Sequence, residues 1–194
     1  KVQISKMVII FLRMIVRKVI YSILNLFDHH KEKIPNLFLQ IFKKHPNFLR
    51  KDKQRIRVCV NEIIRYLGLI DHLIELGSER KIKYVNPKIR NVLRLGIYEL
   101  IFDDITPEFA AIHSNVELAK KNINKRSSSM VNAVMRNIQR LSQKNSNLKM
   151  SLIIDNIDLA YPKWLLKKWE DEFGKNVTKD LCAEFLNAKN MFIR

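Results

Sequence analysis

The chain has 194 residues, enough for one full domain and part of a second. Nearly half are apolar, which excludes global disorder, and four glycines and five prolines are too few for the turns of an all-β fold. The formal charge is +17, from 36 Lys+Arg against 19 Asp+Glu; a chain this basic commonly meets a polyanion, above all nucleic acid, the alternative being a lysine-rich composition with no partner behind it.

The surplus is uneven. Residues 1–67 carry 15 basic and 4 acidic side chains, residues 68–194 carry 21 and 15. Cys59 and Cys182 are far apart, with no Cys or His at metal spacing beside either. They read as buried free thiols in a reducing, cytoplasmic compartment. No catalytic residue, metal ligand set or cofactor site is expected.

The apolar run Met7–Leu12 is cut short by Arg13, Arg17 and Lys18, too early for a membrane span, so no membrane is expected. Residues 1–13 read as an N-terminal extension, with Met14 the better start. Residues 14–28 form a first helix, with Ile15, Val19, Ile23, Leu24 and Phe27 on one face and Arg17 and Lys18 pointing away from it. Asp28–Lys33 is a polar turn, in which adjacent His29 and His30 diverge too far to bind a metal together.

Pro35 opens a second helix to about Phe42. The densest basic run follows: Lys43, Lys44, Arg50, Lys51, Lys53, Arg55 and Arg57, with Asp52 the one acid. Such a run suits phosphate contact, where cations release counterions, although many charge runs are only solvated faces. Asp52 is a candidate N-cap for the next helix, through Ile56, Val60, Ile63 and Ile64. Gly68–Leu76 reads as a short helix ended by Gly77. Ser78–Asn86 is a charged connection.

Three amphipathic segments from Pro87 to Leu141 organise the rest. In the first, Ile89, Val92, Leu93, Gly96, Ile97, Leu100 and Ile101 share a face, and Gly96 suggests the close approach of a neighbouring helix. In the second, Thr106 caps and Pro107 takes the first helical position. In the third, capped from Ser127–Ser129, Val131, Val134, Met135, Ile138 and Leu141 form the stripe. Asn132 is expected to pin a helix junction, and Glu99 and Glu117 to bond helix ends or arginines rather than act as bases. Lys120, Lys121, Lys125 and Arg126 make a basic turn between the last two segments, and Arg136 and Arg140 share an exposed face. Residues 142–160 read as a polar linker. Beyond it, Pro162 starts a helix carrying Trp164, Leu165, Trp169 and Phe173, and a last helix at about 175–188 carries Val177, Leu181, Phe185 and Leu186.

Leu93-Arg-Leu-Gly-Ile-Tyr-Glu-Leu100, Val116-Glu-Leu-Ala-Lys120 and Val131-Asn-Ala-Val-Met-Arg136 resemble the core motifs of the NusB fold. Tyr161-Pro-Lys-Trp-Leu165, Lys168-Trp169, Phe173-Gly174 and Asn187-Ala-Lys-Asn190 are similar to the segment after the NusB-like domain in the RsmB (Sun/Fmu) family of bacterial ribosomal RNA cytosine-C5 methyltransferases. The resemblance covers roughly 14–194. Departures are an alanine-poor first helix and Asp52-Lys-Gln-Arg55 where the family has Asp-Arg-Ala.

The resemblance implies an all-α architecture: a NusB-like RNA-binding bundle at 14–141, the linker, and the helical start of a methyltransferase N-terminal subdomain at 161–194. It implies ribosomal RNA as partner, and S-adenosylmethionine as cofactor of a catalytic domain absent from this chain, which has neither a glycine-rich loop nor a Pro-Cys nucleophile. The RNA-contacting candidates are Arg17, Lys18, the cations of 43–57, the 120–126 turn, Arg136 and Arg140. Two other readings stay open: a stand-alone NusB-type antitermination factor binding RNA and a ribosomal or transcription protein, and a helical protein-interaction module with Trp164 and Trp169 in its patch.

Overall fold

Asn86 caps the central helix, α5 (Pro87–Ile97): its side chain accepts from Lys88 N at 3.0 Å, and Pro87 begins the helix. The computed structural model describes residues 2–30, 32–145 and 147–186, with side chains from residue 14 onward, that of His30 excepted. Among them the chain forms ten α-helices and no strand.

From Asn91 to Ile97 every residue of α5 is buried. The expected one-sided stripe is therefore a rod covered all round, by α1 (Val2–His30), α4 (Leu67–Ser78), α6 (Glu108–Asn122) and α7 (Lys125–Lys144). A Cβ at Gly96 would fall 2.7 Å from Met135 Sδ, so α7 lies directly on the α5 backbone, as the mid-helix glycine suggests. α5 then widens into a π-turn, Tyr98–Phe102, where Asp103 N donates to Tyr98 O at 3.0 Å. The extra residue in the turn shifts the register. Tyr98, Glu99 and Phe102 go inside, while Leu100 and Ile101, expected on the buried face, are only half-buried.

α1 contributes Val19, Ile20, Ile23 and Leu24 to the core, α2 (Ile34–Lys44) Leu37, Phe38 and Ile41, and α3 (Arg50–Arg65) Ile56, Cys59, Val60 and Ile63. Each such side chain contributes roughly 1.5–3 kcal/mol on burial. Cys59 and Cys182 are buried free thiols, and burial pushes the Cys59 thiol up to about 12.

A polar knot ties α1, α4 and α5. Arg94 binds Asp71 through two bonds of 2.7 Å and reaches Asp28 at 3.1 Å; Arg90 joins Asp28 at 2.9 Å. Burial pushes the Asp28 carboxyl up, but the arginines and Asn91 outweigh it and hold it below the ordinary range. The expected polar turn at Asp28–Lys33 thus begins with a helical residue engaged in the core.

Several local expectations change. α3 starts at Arg50 with Leu49 in the cap position, so Asp52 sits within its first turn, where it still faces the positive end of the helix dipole. α6 begins at Glu108 behind Pro107, and the Thr106 hydroxyl donates to Asp103 at 2.6 Å instead of capping. α7 is capped by Asn124, whose side chain accepts from Ser127 N at 2.8 Å. Gly77 lies inside α4, which ends at Ser78 with Glu79 in the left-handed conformation. Asn132 is exposed; the junction is pinned by Asn137, which donates to Gly77 O at 2.9 Å.

Residues 142–145 and 147–160 fold onto the bundle rather than forming an open linker. They hold the end of α7, α8 (Leu148–Asp155) and a 3₁₀ turn, Ile157–Ala160, with Leu152 and Ile157 buried. Gly68 makes this contact possible, since a Cβ there would fall 1.7 Å from Leu159 O. α9 (Lys163–Phe173) and α10 (Lys175–Leu186) pack on each other. Trp169 lies between Tyr161 and Phe185, with ring centroids 5.7 and 5.9 Å away, while Trp164 is 69% exposed. The two tryptophans therefore do not form one patch. On α10 the buried residues are Thr178, Cys182 and Leu186, and the expected Val177 and Phe185 are largely exposed. Tyr66 donates to Leu186 O at 3.0 Å, tying α10 to the start of α4. The Asn187–Asn190 motif and Arg194 lie outside the described residues.

Candidate nucleic-acid interface

The α2–α3 corner gathers most of the predicted cations. Lys43 and Lys44 are exposed on the last turn of α2, where positive charge also suits the helix dipole. Arg50, Lys53, Gln54 and Arg57 follow at three- and four-residue steps along α3 and line one shallow depression of its outer face. Lys51 is exposed beside them.

Two of these cations rest on aromatic rings. Phe38 and Phe42 stack nearly parallel, with centroids 5.8 Å apart. The Arg57 guanidinium lies 5.2 Å from the Phe42 centroid, and Lys53 Nζ lies 5.9 Å from it. Such contacts hold a long side chain in place at about 0.5–1 kcal/mol while leaving its charge to face a phosphate.

Two predicted cations are engaged inside instead. Arg17, with 9% of its side chain exposed, places Nε 2.9 and 3.1 Å from the two Glu99 oxygens. It does not point away from the α1 core face, and it presents no charge to a ligand. Glu99 also accepts from Asn115 at 2.7 Å, which makes it structural, as expected. Burial pushes the Glu99 carboxyl up, and Arg17 opposes that rise.

Arg55 forks onto Asp103: Nη1 donates to Oδ1 at 3.0 Å, and Nη2 to Oδ2. Burial alone would lower the Arg55 pKa, but Asp103 outweighs it and raises it. Asp103 is held below the usual carboxylate range: burial pushes it up, and the bonds from Arg55 and Thr106 pull it down further. Arg55 is therefore a clamp between α3 and the loop ahead of α6.

The remaining candidates form further groups. Lys120 and Lys121 end α6 and Lys125 and Arg126 open α7, all four exposed. The last two stand at the positive end of a helix dipole, a placement that disfavours cations and favours an anion nearby. Arg55 reaches residues just ahead of α6, whereas Lys120 lies a dozen residues along it, about 18 Å at the rise of an α-helix. Gln139 bonds Glu108 at 2.8 Å, which brings the second half of α7, with exposed Arg136 and Arg140, back towards the α3 end. Lys18 is exposed on α1.

The rings under Lys53 and Arg57 lie outside the sequence candidates, although Phe38, Phe42 and the α3 cations each recur at helical spacing. Among the described residues, no group of three His, Cys, Asp or Glu is placed to hold a metal ion, and no helix is long and apolar enough to cross a membrane. Gly68, Gly77 and Gly96 are helical and Gly174 ends α9.

The bundle packs α1, α4, α6 and α7 around α5 and carries a basic outer corner, an all-helical architecture of the NusB type. The chain belongs to the NusB family, whose sequence profile matches residues 12–140. It is 32% identical over 156 residues to a probable ribosomal RNA small subunit methyltransferase B of Synechocystis sp., covering 78% of this chain and 34% of that protein. A Bacillus subtilis protein of the same description is 33% identical over 132 residues, or 64% of this chain and 28% of that one. The chain thus spans about a third of the length of these relatives. The solved complex of the antitermination factors NusB and NusE with dsRNA contains a chain that superposes with a TM-score of 0.62 at 25% identity, covering 67% of this chain and 97% of that one.

Proposed function

We propose that this chain is an RNA-positioning module that serves cytosine-C5 methylation of ribosomal RNA. The exposed cations of α2 and α3, the α6–α7 turn and α7 hold the RNA by its backbone. Phosphate contacts place an RNA and read little of its sequence, so recognition rests on shape and loops. The methyl donor, S-adenosylmethionine, belongs to the length of the methyltransferase relatives that this chain does not span.

One observation carries the methyltransferase reading over that of an antitermination factor. The likeness to the Synechocystis protein runs for 156 residues, longer than the 12–140 stretch of the family profile. The NusB chain of the solved complex is matched almost in full by two thirds of this chain. That complex holds RNA and NusE, which keeps a second reading in view, that of a factor binding RNA and a ribosomal protein.

The test is affinity against salt, for a small-subunit ribosomal RNA fragment and a duplex of equal length. Each neutralised phosphate contributes roughly −0.7 to −0.9 to the log–log slope. A steep slope with preference for the folded fragment is expected. Absence of binding at low salt refutes the RNA reading, and binding that needs a ribosomal protein favours the second.

A further inference from the structure

The turn between α2 and α3 lies among the exposed cations and holds an aromatic pair. Residues 45–49 read His-Pro-Asn-Phe-Leu. His45 ends α2: its backbone N–H bonds Ile41 O at 3.1 Å and Phe42 O, and its backbone is pulled out of the helix region ahead of Pro46. Phe48 N then donates to His45 O at 3.3 Å, closing a four-residue turn. Closure brings the first and last side chains of the turn together. The two rings stack with centroids 5.0 Å apart and planes 15° from parallel.

The order of that stack matters. Phe48 packs against the hydrophobic core, and both rings are half-buried. Phe48 is thus anchored from below, and the imidazole stacked on it remains partly open to solvent. Lys43 and Lys44 precede the turn and Arg50 and Lys51 follow it, all exposed. Between Lys43 and Lys51 there is no acidic residue. A stacked flat ring with exposed cations on both sides of it in the chain suits a nucleobase by its face and the adjoining phosphates by charge.

We propose that the His45–Phe48 stack is a platform for one unpaired nucleobase of a single-stranded RNA segment, with the neighbouring cations holding the phosphates on either side. The proposal rests on the RNA reading above. A base within a duplex has both faces covered by its neighbours, so only a base out of the helix can use the platform.

The experiment compares the 194-residue chain with His45→Ala and His45→Phe, binding a short single-stranded oligouridylate and an equally long sugar–phosphate strand without bases. Stacking on an aromatic side chain is worth about five- to a hundredfold in affinity per base. The chain is expected to prefer the oligouridylate by about that factor. His45→Ala should abolish the preference, His45→Phe should keep it, and all three should share one salt slope, since no phosphate contact is lost. Far-ultraviolet circular dichroism checks that both variants keep the helical fold. An undiminished preference in His45→Ala overturns the platform while leaving RNA binding in place. So does a loss in His45→Phe as large as in His45→Ala, which would make the contact a hydrogen bond. Failure of the unaltered chain to bind either strand at low salt takes the RNA reading down with it.

Discussion

Arg55 and Arg57 lie two residues apart on α3, and their replacement by alanine should have opposite consequences. Arg55 donates to Asp103, whose side chain is only 4% exposed, and Asp103 loses its charged partner when the guanidinium goes. Breaking a fully buried pair costs about 3–5 kcal/mol. Arg55 keeps 26% of its side chain exposed, so screening reduces that to about 1–3 kcal/mol. For a chain of this size each kcal/mol moves the melting temperature by about 2–4 °C, so Arg55→Ala should lower it by roughly 2–12 °C. The deficit should shrink in acid. Asp103 titrates lower in the fold than in the unfolded chain, so its contribution is present above about pH 4 and is lost as the pH falls through its depressed value. Arg57→Ala should leave thermal stability within about 1 kcal/mol, the value of an exposed cation–π contact. It should instead weaken RNA binding and make the log–log salt slope shallower by about 0.7. Thermal melts by circular dichroism and salt-dependent anisotropy titrations read the two effects. If Arg55→Ala melts like the unaltered chain and loses RNA affinity as Arg57→Ala does, the division into clamp and contact is wrong.

Other changes test other parts of the molecule. Gly68→Ala meets the carbonyl of Leu159, which is backbone and cannot swing aside, and should destabilise by about 1–3 kcal/mol or more in denaturant titration. Gly96→Ala meets Met135 Sδ, near the end of a flexible side chain, and should cost less, with helix propensity returning about 1 kcal/mol. Arg17→Met and Glu99→Leu should each cost about 3–5 kcal/mol by stranding a buried charge, while the double variant recovers much of the sum in a double-mutant cycle. Iodoacetamide at pH 8 should leave Cys59 unmodified in the native chain, because its thiol is buried and pushed up to about 12, and should modify it after unfolding in urea, as mass spectrometry would show.

Much of the bundle was legible because its signals are local. Pro87, Gly96 and the apolar steps of α6 and α7 announce helices and a close crossing without any knowledge of the partner helix. The two misassigned arginines were not legible in the same way. Arg17 is paired with an acid 82 residues away and Arg55 with one 48 residues away, and no local pattern carries such distances. For Arg17 a partial signal existed: it stands three and seven residues before the buried Ile20 and Leu24, but its charge argued for the outside. The register of Leu100 and Ile101 was lost at the π-turn, which breaks the 3.6-residue count on which the stripe was drawn. The 142–160 stretch looked like a linker because its polar residues outnumber the few that hold it, Leu152 and Ile157.

The ion pairs sort the basic residues by chemistry. Those tying helices through largely buried carboxylates use arginine: Arg17 with Glu99, Arg55 with Asp103, Arg90 and Arg94 with Asp28, and Arg94 with Asp71. The lysine pairs, Lys81 with Glu75 and Lys120 with Glu117, involve lysines more than half exposed. A planar guanidinium can satisfy two acids at once inside a core, as Arg94 does, and an ammonium cannot reproduce that fork. Among these paired residues, lysine acylation and arginine-directed dicarbonyls should accordingly address different layers, while exposed arginines such as Arg57 and Arg136 react in the native state. Acylation strips outward charge from an intact scaffold, whereas the dicarbonyl reaches Arg17 and Arg94 only once the scaffold has opened, so its uptake at those positions keeps time with unfolding.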